Sequence, residues 1–244
     1  MSPADLIRFR EDLRRSVWDL MESKNVARFP RPVYGRIPNF VGAESAAVRL
    51  LNLGLFNSSR VVKVNPDSPQ KPVREMVLRS GRTLVMPTPR ISEGFLLLDP
   101  GRIPEDAISY ASTIRGSFEY GELVDPWSLP KVDLIVAGSV VVDSFGGRLG
   151  KGEGYSELEY GMLFECGKVT PDVCILTTVH DLQVVSGKIP MEPWDFTVDL
   201  IATPTRLIRA RGPRVRPEGL LWEFIKPEKL AEIPTLKILK ARGC

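Results

Sequence analysis

Val132-Asp133-Leu134-Ile135-Val136-Ala137-Gly138-Ser139-Val140-Val141-Val142 runs directly into Asp143-Ser144-Phe145-Gly146-Gly147-Arg148-Leu149-Gly150-Lys151-Gly152-Glu153-Gly154-Tyr155, and a segment able to form a helix, Ser156 to Phe164, follows. The order is strand, glycine loop, helix. Five glycines, Gly146, Gly147, Gly150, Gly152 and Gly154, fall within nine residues. They let the backbone take positive φ and approach a ligand with no Cβ in the way, so that successive N–H groups point into one concavity suited to an anion. The helix adds the positive end of its dipole, and Arg148 and Lys151 add two full charges. The stretch reads as a phosphate cradle. It is not a P-loop, since no Gly-Lys-Ser/Thr ends it, and it lacks the spacing of the dinucleotide fingerprint. Taken from the glycines alone, a flexible surface loop with two solvated basic residues is the alternative.

Working outward, 244 residues suffice for one large α/β core, and the chain reads as a single domain over 1–244. Charged residues are 26% and hydrophobic residues 43%, the balance of a soluble globular protein. A net charge of +3, with basic residues spread along the chain, suits an anionic small molecule and argues against nucleic acid. No apolar run has membrane-spanning length and Met1 to Asn25 is not a signal peptide, so the expected location is the cytoplasm. Cys166, Cys174 and Cys244 have no metal-ligand spacing and read as small core residues, or at Cys244 a tail thiol. With His180 the only histidine, a histidine metal site and a Ser-His-Asp triad are poor fits, and His180 is placed outside the site. Any chemistry would run on Arg, Lys and carboxylates.

Leu6, Phe9, Leu13, Val17 and Leu20 fall at helical spacing and predict an amphipathic helix over Ala4 to Lys24, with Arg10 and Arg14 one turn apart. Val26 to Asn39 is proline-rich and predicts an ordered connection, followed by a helix through Ala46, Ala47, Leu50 and Leu51. Strands are expected at Arg60 to Val64, Thr83 to Met86, Phe95 to Leu98 and Val173 to Val179, with helices at Pro72 to Ser80 and around Ile103 to Ile114. Arg74 and Arg90 are possible ligand contacts, though each alone reads as a surface or ion-pair residue. The cationic run Arg206, Arg209, Arg211, Arg214 and Arg216 reads as a solvated face.

Gly147-Arg148-Leu149-Gly150-Lys151-Gly152-Glu153-Gly154-Tyr155 resembles the Gly-x-Arg-Leu-Gly-x-Gly-x-Gly-Tyr-Tyr-Asp loop of 5-formyltetrahydrofolate cyclo-ligase (methenyltetrahydrofolate synthetase). Arg10-Glu11-Asp12-Leu13-Arg14 resembles that family's N-terminal Lys-x-x-x-Arg. Arg36 to Ala43 and Val64 to Gln70 resemble its methenyltetrahydrofolate synthetase domain branch, and Ile189 to Pro204 its late segment. Ser156, Glu157, Arg10 and Trp194 depart from the pattern. The resemblance implies a three-layer α/β/α sandwich with a largely parallel sheet, of the NagB/RpiA/CoA-transferase kind. It also implies ATP- and Mg2+-dependent conversion of 5-formyltetrahydrofolate to 5,10-methenyltetrahydrofolate. Carried over residue by residue, it makes Arg148 and Lys151 catalytic. It assigns ATP to Arg10, Arg14, Gly147, Arg148, Leu149, Gly150, Lys151, Gly152, Glu153, Gly154 and Tyr155. The folate goes to Asp67 and Tyr155, and the metal to Glu157 and Asp195, with Asp199 in reserve. The alternative is a relative that binds ATP or another phosphorylated ligand without cyclo-ligase turnover, or that uses a different pterin or a thiamine-related acceptor.

Overall fold

The structure, a computed structural model, describes residues 2–242; of Leu51 only the backbone is described, and Cys244 lies outside the described residues. The strands are β1 (Val61–Val64), β2 (Thr83–Pro87), β3 (Phe95–Leu98), β4 (Glu122–Val124), β5 (Leu134–Ala137), β6 (Val141–Asp143), β7 (Arg148–Leu149), β8 (Cys174–Thr178), β9 (Val184–Val185), β10 (Leu200–Ala202) and β11 (Leu207–Arg209). The helices are α1 (Pro3–Ser23), α2 (Ala43–Leu51), α3 (Gly54–Ser58), α4 (Lys71–Arg79), α5 (Ile108–Ala111), α6 (Ile114–Tyr120), α7 (Tyr155–Glu165), α8 (Pro227–Glu232) and α9 (Pro234–Arg242).

Eight strands form the central sheet in the order β11-β10-β8-β5-β1-β2-β3-β4. Its middle five are parallel, and antiparallel strands close both edges. The two-residue period of a strand sorts each side chain to one of two cores. Val62 and Val64, Leu84 and Met86, Leu134 and Val136, Leu176, and Leu200 and Ala202 face one way, against Leu50 of α2, Phe56 of α3, Val73 and Val77 of α4, and Ile108 of α5. Val85, Ile135, Ala137, Ile175 and Ile201 face the other way, against Tyr160, Met162 and Leu163 of α7 and Leu236 and Leu239 of α9. The result is a three-layer α/β/α sandwich. A small sheet, β7-β6-β9, packs with α1 around Val17, Met21, Phe40, Val141 and Leu149.

The apolar run Val132 to Val142, read as one strand, is two. Gly138 to Val140 separate β5 in the large sheet from β6 in the small one, because the Gly138 carbonyl accepts from Arg148 and Ser139 Oγ lies 2.7 Å from Thr177 Oγ1 rather than continuing the ladder. The helix expected around Ile103 to Ile114 is also broken. A 3-10 turn leads into α5, and Thr113 Oγ1 restarts the chain as α6 by accepting from Gly116 N at 3.0 Å. Val26 to Asn39 is an ordered connection that buries Val33 and Ile37. Cys166 and Cys174 are half-buried at the edges of the two cores, so neither is a fully buried core residue. Nor is the cationic run wholly solvated: the Arg216 side chain is only 3% exposed and pairs with Asp199 at 2.7 Å.

Candidate functional site

From β1 the chain moves one way to β2, whereas β5, β8 and β10 progress the other way, so the strand order reverses between β1 and β5. Open α/β sheets bind ligands in the crevice beyond the carboxyl ends of the strands at such a point. Asn65 and Asp67 follow β1 here, and Gly138 follows β5. The glycine loop leads from the same region into α7.

Gly152 (φ 101°) and Gly154 (φ 76°) take the left-handed backbone that only glycine adopts without strain. Gly154 starts α7 with no side-chain cap, so first-turn N–H groups are left for a ligand. Arg148, only 2% exposed, is held firmly. Its Nη1 donates to Glu157 Oε1 at 2.5 Å, its Nε and Nη2 donate to Gly138 O at 3.1 and 2.9 Å, and its guanidinium lies 4.7 Å from the Phe196 ring centre. From α1, Arg14 Nε donates to Gly150 O at 2.7 Å, and its guanidinium carbon lies 3.5 Å from where a Cβ on Gly152 would stand. Burial, then the neighbouring Arg10, lowers the Arg14 pKa. Arg10 binds Asp195 through two bonds of 2.7 and 3.1 Å. Asp195 Oδ2 also accepts from Glu192 N at 2.7 Å, and burial raises its pKa against these contacts. Lys151 pairs with Glu153 at 2.6 Å near the surface. Tyr155 donates to Glu232 Oε1 at 2.7 Å, beneath Lys229.

Below the loop lies a buried polar network. Lys63 of β1 points to the α7 side of the sheet and pairs with Glu159, and Nζ also donates to Asn65 Oδ1 at 3.0 Å. Asn65 Nδ2 donates to Ser156 Oγ and to Glu159 Oε2, each at 3.1 Å. Arg74 is neither a surface residue nor an ion-pair partner: it is buried and donates to the carbonyls of Asn65 (2.6 Å), Asp67 (3.0 Å) and Ser112 (2.8 Å). Burial brings its pKa down to about 10, so it stays charged at neutral pH. The Asp67 carboxylate accepts no hydrogen bond among the described residues. Desolvation pushes its pKa up, opposed by Lys151, Arg74, Arg148 and Lys63.

The structure thus brings Arg10, Arg14, the 147–155 loop, Glu157 and Asp195 together, with Asp67 within electrostatic reach of Lys151 and Arg148. Asp199, the reserve ligand, lies elsewhere: it precedes β10 and is clamped by Arg214, Arg216 and Ile175 N at the opposite end of the strands. His180 accepts from Leu182 N through Nδ1 and caps a short turn. Arg90 is exposed, 3.7 Å from Glu232. Among the described residues no cluster of three or more His, Cys, Asp or Glu forms a metal cage. Lys63, Asn65, Gln70 and Glu159 are additions that the sequence reading missed. The available signal was a lysine inside Val61-Val62-Lys63-Val64, where a buried parallel strand should be apolar throughout.

This fold and loop define an α/β protein with a glycine-rich loop and an uncapped helix start at a topological switch point. The family model of the 5-formyltetrahydrofolate cyclo-ligases matches residues 7–204, and the chain belongs to that family. It is 44% identical over 236 residues to the methenyltetrahydrofolate synthase domain-containing protein of Bos taurus, covering 95% of this chain and 62% of that protein. The Homo sapiens protein of the same name is 42% identical over 238 residues, covering 96% of this chain and 62% of that protein. The chain therefore spans a little under two thirds of these relatives. Among solved structures, 5,10-methenyltetrahydrofolate synthetase of Aquifex aeolicus shares the fold with a TM-score of 0.52 at 21% identity, covering 84% of this chain and 95% of that one. Among the described residues, no helix is long and apolar enough to cross a membrane.

Proposed function

We propose that this protein uses ATP and magnesium to convert 5-formyltetrahydrofolate to 5,10-methenyltetrahydrofolate. The observation that carries the reading is the seating of Arg14 against Gly150 and Gly152. A cation from the N-terminal helix, 136 residues away in sequence, meets the glycine loop where α7 begins uncapped. Loop amides, Arg14 and Lys151 fit the phosphates of ATP, Arg148 holds the loop in place beneath them through Gly138 O and Glu157, and Asp67 fits the acceptor side. In this reading the γ-phosphoryl group passes to the formyl oxygen, N10 of the folate attacks the activated carbon, and phosphate leaves. The protein's part is to hold both substrates in line and to meet developing charge with fixed donors. Magnesium, when bound, neutralises phosphate oxygens. Glu157 fits it better than Asp195, because Glu157 Oε2 has no hydrogen-bond partner among the described residues whereas both Asp195 oxygens are engaged.

A second reading has a specific observation behind it. Arg10 with Asp195, and Arg148 with Glu157, neutralise each other across the groups assigned to ATP and metal. Such a site could bind nucleotide without turnover. The deciding experiment follows methenyl product by absorbance, with ATP, magnesium and 5-formyltetrahydrofolate, beside Lys151→Ala, whose half-buried side chain pairs with Glu153, with the variant's melting temperature measured as a check on folding. Product that requires ATP and drops at least tenfold in Lys151→Ala supports the cyclo-ligase. ATP-dependent thermal stabilisation with no product leaves the nucleotide-binding relative.

A further inference from the structure

We propose that Gln70 and Gly138 form, beside Asp67, the part of this site that reads the hydrogen-bond donor edge of the acceptor, the amino group and adjacent ring N–H of a 2-amino-4-oxo heterocycle. This rests on the folate reading for the choice of heterocycle.

Gln70 is fully buried at the end of a 3-10 turn that leads into α4. Its Nε2 donates to Thr178 Oγ1 at 3.1 Å and to Thr178 O at 3.4 Å. A carbonyl oxygen can only accept, so the amide orientation is fixed by that contact. Oε1 is consequently turned away from Thr178, and it is buried without a hydrogen-bond partner among the described residues. It points at the switch-point glycine: a Cβ on Gly138 would lie 3.1 Å from Gln70 Oε1 and 2.7 Å from Asp67 Oδ2. Two acceptors converge on one point between β1 and β5, and no donor among the described residues meets them.

The nearby cations each have partners of their own, and among the described residues none of them donates to Gln70 Oε1 or to the Asp67 carboxylate. Lys63 serves Glu159 and Asn65, Arg74 serves three carbonyls, Arg148 serves Gly138 O and Glu157, and Lys151 pairs with Glu153. A buried acceptor left unpaired is costly, so the arrangement is complete only when a ligand brings the donors. Two acceptors side by side match a planar group with two adjacent N–H donors. Gly138 is the residue that lets both oxygens come so close.

The test titrates the 244-residue chain with pterin and with lumazine, in which the 2-amino donor of pterin is replaced by a carbonyl acceptor and ring N1 carries a proton, so that the paired amino and N3–H donor edge is lost. A site built to pair N–H donors rejects the analogue that lacks them, and pterin is expected to bind at least about tenfold more tightly. In Gln70→Met that ratio falls to about threefold or less, and Gly138→Ala loses pterin binding. The wild-type comparison needs no variant to fold. Equal binding of the two, no binding of pterin, or a ratio that survives Gln70→Met overturns the inference. Equal binding that weakens as pH rises would assign the missing donor to a proton on Asp67, and it overturns the inference too. Pterin preference without methenyl product keeps the inference and sinks the cyclo-ligase reading; product without pterin preference does the reverse.

Discussion

Arg148 is anchored through Nε, Nη1 and Nη2, to Gly138 O and Glu157, with the Phe196 ring against its face. Its removal leaves a buried carbonyl and a largely buried carboxylate without a partner, so Arg148→Ala should cost about 2–4 kcal/mol. Urea unfolding measures this, and a loss below 1 kcal/mol would show that the fork carries no structural weight. Lysine cannot reproduce two parallel bonds to one carbonyl, so Arg148→Lys is expected to recover only part of the loss. His180 offers a second residue-scale prediction. Desolvation lowers its pKa, opposed by Asp181, and Nδ1 must stay unprotonated to accept from Leu182 N. Because the folded pKa is depressed, the stabilising contribution is intact above the unfolded value of about 6.5 and is lost as pH falls through the folded value. His180→Asn keeps a capping acceptor but has nothing to protonate. Its melting temperature should fall less than that of the wild type between pH 7 and pH 5.

At the scale of elements, the contact between β1 and α7 is the unusual one. Lys63 occupies an inward position that its neighbouring strands fill with Val85 and Ile135, and Glu159 of α7 answers it. Burial raises the Glu159 pKa, with Lys63 opposing. Removing one partner of a buried pair strands a charge, so Lys63→Met alone should cost about 3–5 kcal/mol. Lys63→Met with Glu159→Leu should cost much less than the sum of the single changes, and a double-mutant cycle reads the coupling. Additive single losses would show that the two charges do not interact. The position of α7 matters to the site because Ser156 joins the same network through Asn65, and the adjacent Glu157 holds Arg148.

Over the whole molecule, the segment beyond residue 204, where the family match ends, completes the core rather than trailing from it. Leu220, Ile233, Leu236 and Leu239 are buried in the cluster that includes Tyr160 and Met162 of α7, and Glu232 holds Tyr155 at the mouth of the loop. Four such side chains contribute about 6–12 kcal/mol, as much as the entire stability of a typical domain. A chain cut after Pro204 should therefore show no cooperative thermal transition by circular dichroism; a sharp transition near the full-length midpoint would refute this.

Local pattern made much of this legible. Leu13 and Val17 marked α1, Phe95 to Leu98 marked β3, and the glycines of the 146–154 loop marked the start of α7. The break at Gly138 was not legible, since an apolar run of eleven residues looks the same whether it stays in one sheet or crosses between two. The loop and its cations were legible because glycine spacing and charge are local properties, and so the sequence by itself determined the α/β class, the glycine loop before α7 and the family. Only the tertiary structure decided which groups answer each other. Arg10 meets Asp195 across 185 residues, Arg14 meets Gly150 across 136, and Lys63 meets Glu159 across 96. Those pairings, and the unpartnered oxygen of Gln70 over Gly138, follow from the order in which the strands assemble. That order is set by which apolar faces bury one another along the whole chain, and no single stretch of residues encodes it.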